Sequence, residues 1–315
     1  MLGDLLRFNK LTTQLAQTGK SEALNVALHL FLEEHKFSAE FTNWYLLPML
    51  GCIWSCPPDQ MLAFPLATMI RFCHNHGLLQ ITNRPKWYTV AGGAKQYVSA
   101  ITQQLPNAYL NTPVHSIKRS ESKITLLSNR GSQEFDKLII ATHADQALKL
   151  LDVPSHAESR LLPAFRFKDN VAVLHRDAGV LPSKPVAWAA WNFESARTAH
   201  HPHSVPVGGD VLSTDHVCLH YYLNKLQPLP FTEPVVVSLN PIREIKKSKI
   251  AATFNYSHPV FDLSSIAAQK EMHTLQGNLN TWYAGAWLGY GFHEDGLKAG
   301  QLAARGVLDS LGIQV

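Results

Sequence analysis

The sequence lacks the signatures of several large protein classes. No run of Lys or Arg exceeds the pair Lys246-Lys247, and the net charge is only +4, so nucleic acid is not expected as a partner. Cysteine is scarce: the four residues at positions 52, 56, 73 and 218 match neither a dense disulfide framework nor paired zinc motifs, and they predict reduced thiols. No signal-peptide pattern opens the chain, because Asp4 and Arg7 flank its first leucine pair. A cytoplasmic location is therefore expected.

Common catalytic motifs are missing as well. There is no His-Glu-x-x-His, and His200-His201-x-His203 has no nearby carboxylate or thiolate, so no metal site is expected. The absence of Gly-x-Ser-x-Gly removes support for serine-based acyl transfer. No Gly-x-Gly-x-x-Gly follows a predicted strand. The glycine loop that cradles a pyrophosphate in dinucleotide folds is thus missing from this sequence.

The composition is that of a globular protein. With 315 residues, 46% of them hydrophobic and 17% charged, the chain can bury a large core as one domain or two interleaved domains. Its most apolar part lies between Glu40 and Arg71, where Asp59 is the only formal charge. Four prolines break this part too often for a spanning helix. Buried helices are the first interpretation, with an apolar substrate cavity or contact with a membrane surface as alternatives.

Residues 1–84 form a predicted helical block. Apolar residues at helical spacing predict a helix starting almost at the first residue and a second amphipathic helix after it. Ser38 is expected to open a third helix, which Pro48 interrupts. A further helix around Met69 is expected to stop at Gly77.

The hydrophobic pattern changes to strands after Asn111. Three runs, at 113–117, 123–127 and 135–141, predict a β-meander. The last run is continuously apolar from Leu138 to Ala141, as in buried parallel strands, and its carboxyl end is expected to face a ligand crevice. Further strand-like runs predict a second, mainly antiparallel sheet. They are 170–175, 187–193, 217–224, 235–239 and 249–256, with a polar loop at 194–216.

Glycines precede two of the predicted helices. Gly92 and Gly93 lead into a helix with Tyr97 on its apolar face, while near the C-terminus a predicted buried strand at 281–286 is followed by a glycine loop and a helix. Bare backbone and unpaired N–H groups at a helix start can hold an electron-rich ligand. The alternative at both places is a simple turn or tight connection.

Three segments together resemble FAD-dependent oxidoreductases of the flavin amine oxidase superfamily. They are Trp87-x-Thr-Val-x-Gly-Gly93, Phe135-Asp-Lys-Leu-Ile-Ile-Ala-Thr-His143 and Tyr283-Ala-Gly-Ala-Trp-x-Gly-Tyr-Gly-Phe-His-Glu-Asp-Gly296. More narrowly, the chain is similar to the bacterial branch of predicted NAD/FAD-binding proteins that is often associated with cyclopropane fatty acid synthases. The resemblance covers nearly the whole chain and implies FAD as cofactor.

The resemblance also implies a set of cofactor contacts. In the superfamily the C-terminal motif lies under the flavin, and the backbone N–H groups around His293 reach the N1/O2 edge of the ring. Val114 matches a backbone contact to adenine. The residues implied to bind FAD are Gly92, Gly93, Val114, Ala141, Thr142, Gly285, Ala286, Gly291, Phe292, His293, Glu294, Asp295 and Gly296.

The sequence departs from the superfamily pattern in two places. Ala286 stands where a glutamate is usual, so the contact made by that side chain is not expected here. The N-terminal βαβ unit has no counterpart, so the chain is expected to lack its first segment. Without that unit the site loses its main anion-binding loop, and the sheet edges left open are expected to favour aggregation.

We therefore predict a mixed α/β protein in which a partial FAD-binding domain with a β-meander interleaves with a substrate domain of helices plus a mainly antiparallel sheet. The predicted segments are 1–84 for substrate-domain helices, 85–150 on the FAD side, 151–280 for the substrate-domain sheet and 281–315 for the C-terminal FAD-side strand, loop and helix.

The predicted activity is hydride transfer from an apolar substrate, a lipid or fatty-acyl compound, to flavin. Trp54, Tyr222 and Asn224 are candidates for substrate contact, with core packing or strand pairing as the alternative. No catalytic acid or base is identified, and peripheral membrane contact is a further interpretation. The competing function is a non-catalytic fragment that binds an apolar ligand or a protein partner.

Overall fold

The computed structural model describes residues 1–18, 24, 26–80, 82, 85–195 and 218–313. The loop predicted at 194–216, with its three clustered histidines, lies almost entirely outside them. The chain folds as two compact units, one of residues 1–104 and 169–258 and the other of 105–168 and 259–315. The segment 85–104, predicted on the FAD side, thus belongs to the first unit, whereas 151–168 and 259–280 belong to the second.

Helices make up the N-terminal part of the first unit. They are α1 (Leu2–Thr18), α2 (Leu28–Glu34), α3 (Ala39–Phe41), α4 (Leu47–Trp54), α5 (Pro58–Leu62), α6 (Leu66–Asn75), α7 (Lys95–Thr102) and, later in the chain, α10 (Leu223–Leu226). Ser38 caps α3 by accepting a hydrogen bond from the Phe41 amide, as expected. Phe8 and Phe41 are at most 1% exposed in an aromatic cluster with Phe31 and Phe37. Leu46, Leu50 and Leu66, which lie in the apolar stretch between Glu40 and Arg71, are also fully buried. This stretch is therefore a packed helical core, which confirms the first interpretation.

The interruption predicted at Pro48 is wrong. A π-helical turn, Thr42–Leu46, joins α3 to α4 without a break, and the Leu47 amide donates to the carbonyl of Thr42, five residues back. Proline has no N–H and its ring crowds the carbonyl four residues earlier. The wider π-helical turn just before the proline accompanies the continuation of the helix.

The first unit also contains the five-stranded sheet. Its strands are β5 (Arg166–His175), β6 (Trp191–Glu194), β7 (Cys218–Tyr222), β8 (Val236–Leu239) and β9 (Ile250–Val260). The order is β6-β7-β8-β5-β9, and the pairs from β6 through β5 are antiparallel. This confirms the predicted second sheet, with two differences: residues 187–190 precede β6, and residues 223–224, predicted as strand, begin the helix α10. The chain passes between the two units within β5 and β9.

The second unit opens with the meander, but its third strand differs from the prediction. The strands β1 (Val114–Arg119), β2 (Ile124–Ser128) and β3 (Gly131–Phe135) pair antiparallel in chain order. Every residue of β3 is exposed, so this strand has no apolar alternation to reveal it. The expected strand at 135–141 is instead a separate short strand, β4 (Leu138–Ile140).

Strand β4 pairs in parallel with β10 (Thr281–Tyr283), as its continuous apolar run predicted. In the part of the chain that the structure describes, this sheet has two strands. The helices of this unit are α8 (Ala144–Leu150), α9 (His156–Leu161), α11 (Leu263–Glu271) and α12 (His293–Ser310). The core beneath β4 and β10 includes Ile140, Leu162, Tyr283 and Trp287. Among the helices that the structure describes, none combines the length and the apolar character that a membrane span requires.

Candidate cofactor site

The carboxyl ends of β4 and β10 form the centre of the candidate site. Ile140 is in register with Tyr283, and the Ala284 amide donates to the Ile140 carbonyl at 3.0 Å. Ala141 and Ala284 therefore leave the sheet side by side, and Gly285 follows directly. In open α/β sheets, ligands bind beyond the carboxyl ends of parallel strands.

The indole of Trp287 locks the glycine loop to the exit of β4. Its Nε1 donates to the Thr142 carbonyl at 3.1 Å, and the residue is buried. The ring folds back over Gly285, where a Cβ would lie 2.3 Å from Nε1. Further along, Gly291 has a φ of +93°, which favours glycine. A side chain at position 285 would collide with the Trp287 ring, and the positive φ at position 291 disfavours other residues, so the local structure requires both glycines.

Gln269 on α11 clamps the same loop from the other side. Its side-chain amide donates to the carbonyls of Trp287 at 2.9 Å and Gly289 at 2.8 Å. The sequence provides no signal for this contact, because Gln269 is a single polar residue 18 and 20 positions before its partners. It is a loop-ordering residue that sequence reasoning missed.

The loop ends at the start of α12, where the remaining implied contacts lie. Asp295 accepts a hydrogen bond from the Phe292 amide at 3.0 Å, and Glu294 forms an exposed ion pair with Lys298. A Cβ at Gly296 would lie 3.8 Å from Ala286, so the glycine loop packs against the first helical turn. The first amides of a helix lack intrahelical acceptors and carry partial positive charge. The segment 285–296 is accordingly one strand-loop-helix site.

A cavity of about 570 Å³ lies beside this site in the second unit. Three residues implied to contact FAD, Val114, Ala141 and Thr142, line it together, with Gln146 and Lys149 of α8 on another wall. Ala141 is exposed on the cavity wall. The structure thus brings Val114 together with Ala141 and Thr142, which lie 27 and 28 positions later in the sequence.

A buried ion pair supports β10 from below. Arg119 of β1 holds the Glu158 carboxylate with two hydrogen bonds of 2.6 and 2.7 Å, and the Tyr283 hydroxyl donates to the same carboxylate at 2.5 Å. Burial would raise the pKa of Glu158, but these hydrogen bonds outweigh it and lower that pKa to about 2. The capping box formed by Ser155 and Glu158 has a recognisable Ser-x-x-Glu pattern, so this residue could have been found from the sequence.

The other predicted site residues lie in the first unit. Gly92 and Gly93 have positive φ values of 79° and 83° just before α7. Trp54 is buried against Phe64 and Phe72. The Asn224 amide donates to the Glu233 carbonyl and its oxygen accepts from the Val235 amide. Tyr222 packs edge-on against Trp188. These three candidates for substrate contact make packing or backbone contacts.

The types of groups at the strand ends are those that a flavin dinucleotide needs around it. They combine a glycine loop, a helix N-terminus and an adjoining cavity with few charged side chains. Such a site suits the electron-rich edge of a flat ring and a long, partly apolar ligand. The phosphate-binding glycine loop is the part of a dinucleotide site that this sequence does not contain.

The chain is similar in structure to several solved proteins at low sequence identity. The match with a CLA-producing fatty acid isomerase from P. acnes covers 90% of this chain and 66% of the isomerase, at 14% sequence identity and a TM-score of 0.62. The match with the cyclohexylamine oxidase from Brevibacterium oxydans IH-35A covers 99% of this chain and 76% of the oxidase, also at 14% sequence identity and a TM-score of 0.62. The match with a putrescine oxidase variant covers 98% of this chain and 75% of the oxidase, at 13% sequence identity and a TM-score of 0.66. These likenesses show the fold of the FAD amine oxidases.

The chain spans just under two thirds of the length of the isomerase. No curated protein matches it in sequence. The family model of flavin containing amine oxidoreductases, however, matches residues 14–176, just over half of the chain. The chain therefore belongs to the flavin containing amine oxidoreductase family, whose cofactor is FAD.

Proposed function

We propose that this chain supplies the flavin-facing loop and the substrate domain of a FAD-dependent oxidoreductase that oxidises an apolar, lipid-like or fatty-acyl substrate. The observation that carries the proposal is the convergence at one sheet edge of two parallel strand ends, a glycine loop and a helix start. FAD, when bound, supplies the hydride acceptor.

Different parts of the second unit would hold different parts of the cofactor. Val114, Ala141 and Thr142 would contact the adenosine half, because together they line the cavity beside β4. The loop from Gly285 to Gly296 would face the flavin. The N-terminal amides of α12 would stabilise negative charge on the ring edge that they approach, and the Trp287 and Gln269 contacts keep the loop ordered before the cofactor arrives.

The apolar substrate is supported by the first unit. The chain carries one formal charge between Glu40 and Arg71, and most of the apolar side chains of α4 and α6 pack in the core of this unit. The structural neighbours include an enzyme named for a fatty acid and enzymes named for amines. A lipid-like substrate is preferred here because the apolar composition of this stretch and the neighbour named for a fatty acid agree with it. Peripheral contact with a membrane, where such substrates reside, is part of the same proposal.

The experiment is a flavin titration of the purified 315-residue chain, read from the visible spectrum of the protein fraction. Binding predicts a yellow protein that retains flavin on gel filtration. Ala141→Trp would fill the cavity from an exposed position and weaken FAD binding by at least about tenfold, which is about 1.4 kcal/mol. Ala304→Trp is the matched control, because Ala304 is an exposed alanine on α12 of the same unit. Equal affinities of both variants would contradict the proposed cofactor position.

The substrate class is tested on the flavin-loaded protein without oxygen. Fatty-acyl compounds are expected to bleach the visible absorption of bound flavin, whereas small polar amines are not. Bleaching by amines alone would overturn the lipid part of the proposal and leave the cofactor part intact. Flotation with lipid vesicles tests the membrane contact separately.

A second function, binding of an apolar ligand or protein partner without catalysis, is favoured by one observation. The sequence contains no Gly-x-Gly-x-x-Gly pyrophosphate loop, and that loop supplies much of the anion-binding free energy in dinucleotide folds. A soluble protein that stays colourless with excess FAD but binds a fluorescent fatty acid would establish this alternative.

A further inference from the structure

Three side chains of types that commonly bind metal ions lie close together on two adjacent strands of the five-stranded sheet of the first unit. Glu194 ends β6 and Cys218 begins β7, and the antiparallel register pairs these two residues directly. His220 lies two residues further along β7, so its side chain projects from the same face. All three residues are at most 5% exposed.

The distances within this trio approach those of a metal coordination shell. Cys218 Sγ lies 3.6 Å from His220 Nε2 and 3.8 Å from Glu194 Oε2, and these last two atoms are 2.9 Å apart. Ligand atoms around a tetrahedral zinc ion, with bonds of about 2.0 to 2.3 Å, are about 3.3 to 3.6 Å apart. Two edges of the triangle are therefore close to that spacing, and the third needs to lengthen by about 0.4 Å.

The surrounding groups hold the trio in place. Arg243 Nε donates to Glu194 Oε1 and leaves Oε2 facing the thiol and the imidazole. The other ring nitrogen of the histidine, His220 Nδ1, lies 2.7 Å from Ser238 Oγ. Metal-binding histidines and carboxylates are commonly oriented by such outer contacts, which also set the histidine tautomer.

The outer contacts continue to a second buried histidine. The Asp177 amide donates to His175 Nδ1 at 3.1 Å, so neutral His175 carries its proton on Nε2 and donates it to Ser238 Oγ at 2.6 Å. The serine oxygen has two lone pairs and can accept from both imidazoles at once. His220 can therefore turn its unprotonated Nε2 toward a metal ion while Nδ1–H donates to Ser238.

This cluster does not suit catalysis with Ser238 as the nucleophile. Ser238, His220 and Glu194 are connected in the manner of a hydrolytic triad, but Ser238 is 0% exposed. A substrate carbonyl cannot reach a hydroxyl buried on a central strand. Ligation of a small ion needs no such access for a large group.

We propose that Glu194, Cys218 and His220 form a binding site for a borderline-soft divalent cation, Zn²⁺ in the first place, with water in the fourth position. A thiolate, an imidazole and a carboxylate form a donor set that suits zinc. Binding displaces the thiol proton of Cys218 and shifts the ring proton of His220 from Nε2 to Nδ1, so one proton is released per ion. The spacing of residues in the sequence does not reveal this site, because Cys218 lies 24 positions after Glu194 and only the strand register brings them together.

Cobalt substitution tests the site without flavin or substrate, so its outcome is independent of the proposed function. The metal-stripped 315-residue chain is titrated with Co²⁺, and the expected result is one equivalent with an intense near-ultraviolet thiolate-to-cobalt band that added Zn²⁺ removes. Absence of that band at stoichiometric Co²⁺ would overturn the proposal, and would leave the trio as a set of hydrogen bonds.

Variants then identify the ligands. Cys218→Ser is expected to abolish the thiolate band, whereas Cys73→Ser, which alters another buried free thiol of the same unit, keeps it. Retention of the band in Cys218→Ser would also overturn the proposal. Arg243→Gln preserves all three ligands and is expected to weaken Zn²⁺ binding by about 10- to 100-fold in competition with a chromophoric chelator. Far-ultraviolet circular dichroism checks that each variant remains folded.

Discussion

At the residue scale, Tyr283 shows how one side chain connects several elements of the second unit. Its ring is 1% exposed, and its hydroxyl joins the buried pair of Glu158 and Arg119. The three residues come from β10, α9 and β1, so a single polar cluster connects the strand under the candidate site to the meander. Burial raises the pKa of Tyr283 well above its ordinary value, and the hydroxyl therefore stays a donor.

Breaking the buried pair should be costly. Glu158→Gln leaves the Arg119 guanidinium buried without its counter-charge, and we expect a loss of about 3 to 5 kcal/mol in the free energy of unfolding. Tyr283→Phe removes one hydrogen bond to a charged group and should cost about 1.5 to 3 kcal/mol. Urea denaturation measures both. Glu271→Gln is the control, because its ion pair with Arg160 is exposed, and a comparable loss there would contradict the role of burial.

The same carboxylate predicts a pH dependence of stability. The pKa of Glu158 is about 2 in the folded protein, below its ordinary value of 4.5, so its contribution is complete above pH 4.5 and disappears as the pH falls toward 2. A shift of this size corresponds to about 3 kcal/mol. The wild-type chain should therefore lose more stability than Glu158→Gln when the pH is lowered from 5 to 3. Parallel losses, measured by thermal melts followed by circular dichroism, would refute the assignment.

At the scale of elements, the strand-loop-helix from β10 to α12 depends on contacts from outside itself. Gln269 holds two carbonyls of the loop and Trp287 fastens it to the exit of β4. The loop is consequently ordered by α11 and β4 as well as by its own glycines. A loop ordered before binding loses less conformational entropy when a ligand arrives.

Gln269→Leu should loosen this loop. The substitution keeps the side-chain volume but removes both donors, and we expect a loss of about 1 to 3 kcal/mol. Hydrogen exchange of the Gly291 amide, which bonds to the Ala286 carbonyl, should become faster, and flavin affinity should fall. Gln301→Leu, at an exposed position of α12, is the matched control. Unchanged exchange in Gln269→Leu would show that the clamp does not order the loop.

At the scale of the whole molecule, the two units are each built from two separate stretches of chain. Neither stretch completes a unit alone. In the first unit, the N-terminal helices and the five-stranded sheet come from stretches about 65 residues apart. In the second unit, the paired residues of β4 and β10 are 143 positions apart. Such long-range pairing makes folding slow and leaves strand edges open meanwhile. The aggregation expected from the open edge of the two-stranded sheet remains a prediction.

Separate cores predict separate unfolding. Differential scanning calorimetry should show two transitions, because each unit has its own buried residues. Glu158→Gln should lower the temperature of one transition only, that of the unit containing residues 105–168 and 259–315. A single transition that Glu158→Gln shifts as a whole would contradict this independence.

Local patterns determined much of the architecture. The meander, the parallel pairing of β4 and the final strand, glycine loop and helix could be predicted because period, apolar runs and glycines report the conformation of neighbouring residues. The burial predicted for β4 holds for Ile140 but not for Ile139, which is exposed. The same motifs indicated the family, its mixed fold and FAD. The prediction failed where a pattern was weak or overridden, at the fully exposed strand β3 and at Pro48, where a π-helical turn carries the helix through a proline.

Only the tertiary structure decided which distant residues meet. Tyr283 reaches Glu158 across 125 positions, and Trp287 reaches the Thr142 carbonyl across 145. Glu194 and Cys218 become neighbours through the register of two strands. No local pattern encodes such pairs, because contacts between strands and helices depend on how the chain as a whole buries its apolar surface. The sequence by itself therefore determined the kind of site, and the packing of distant segments decided which side chains order it.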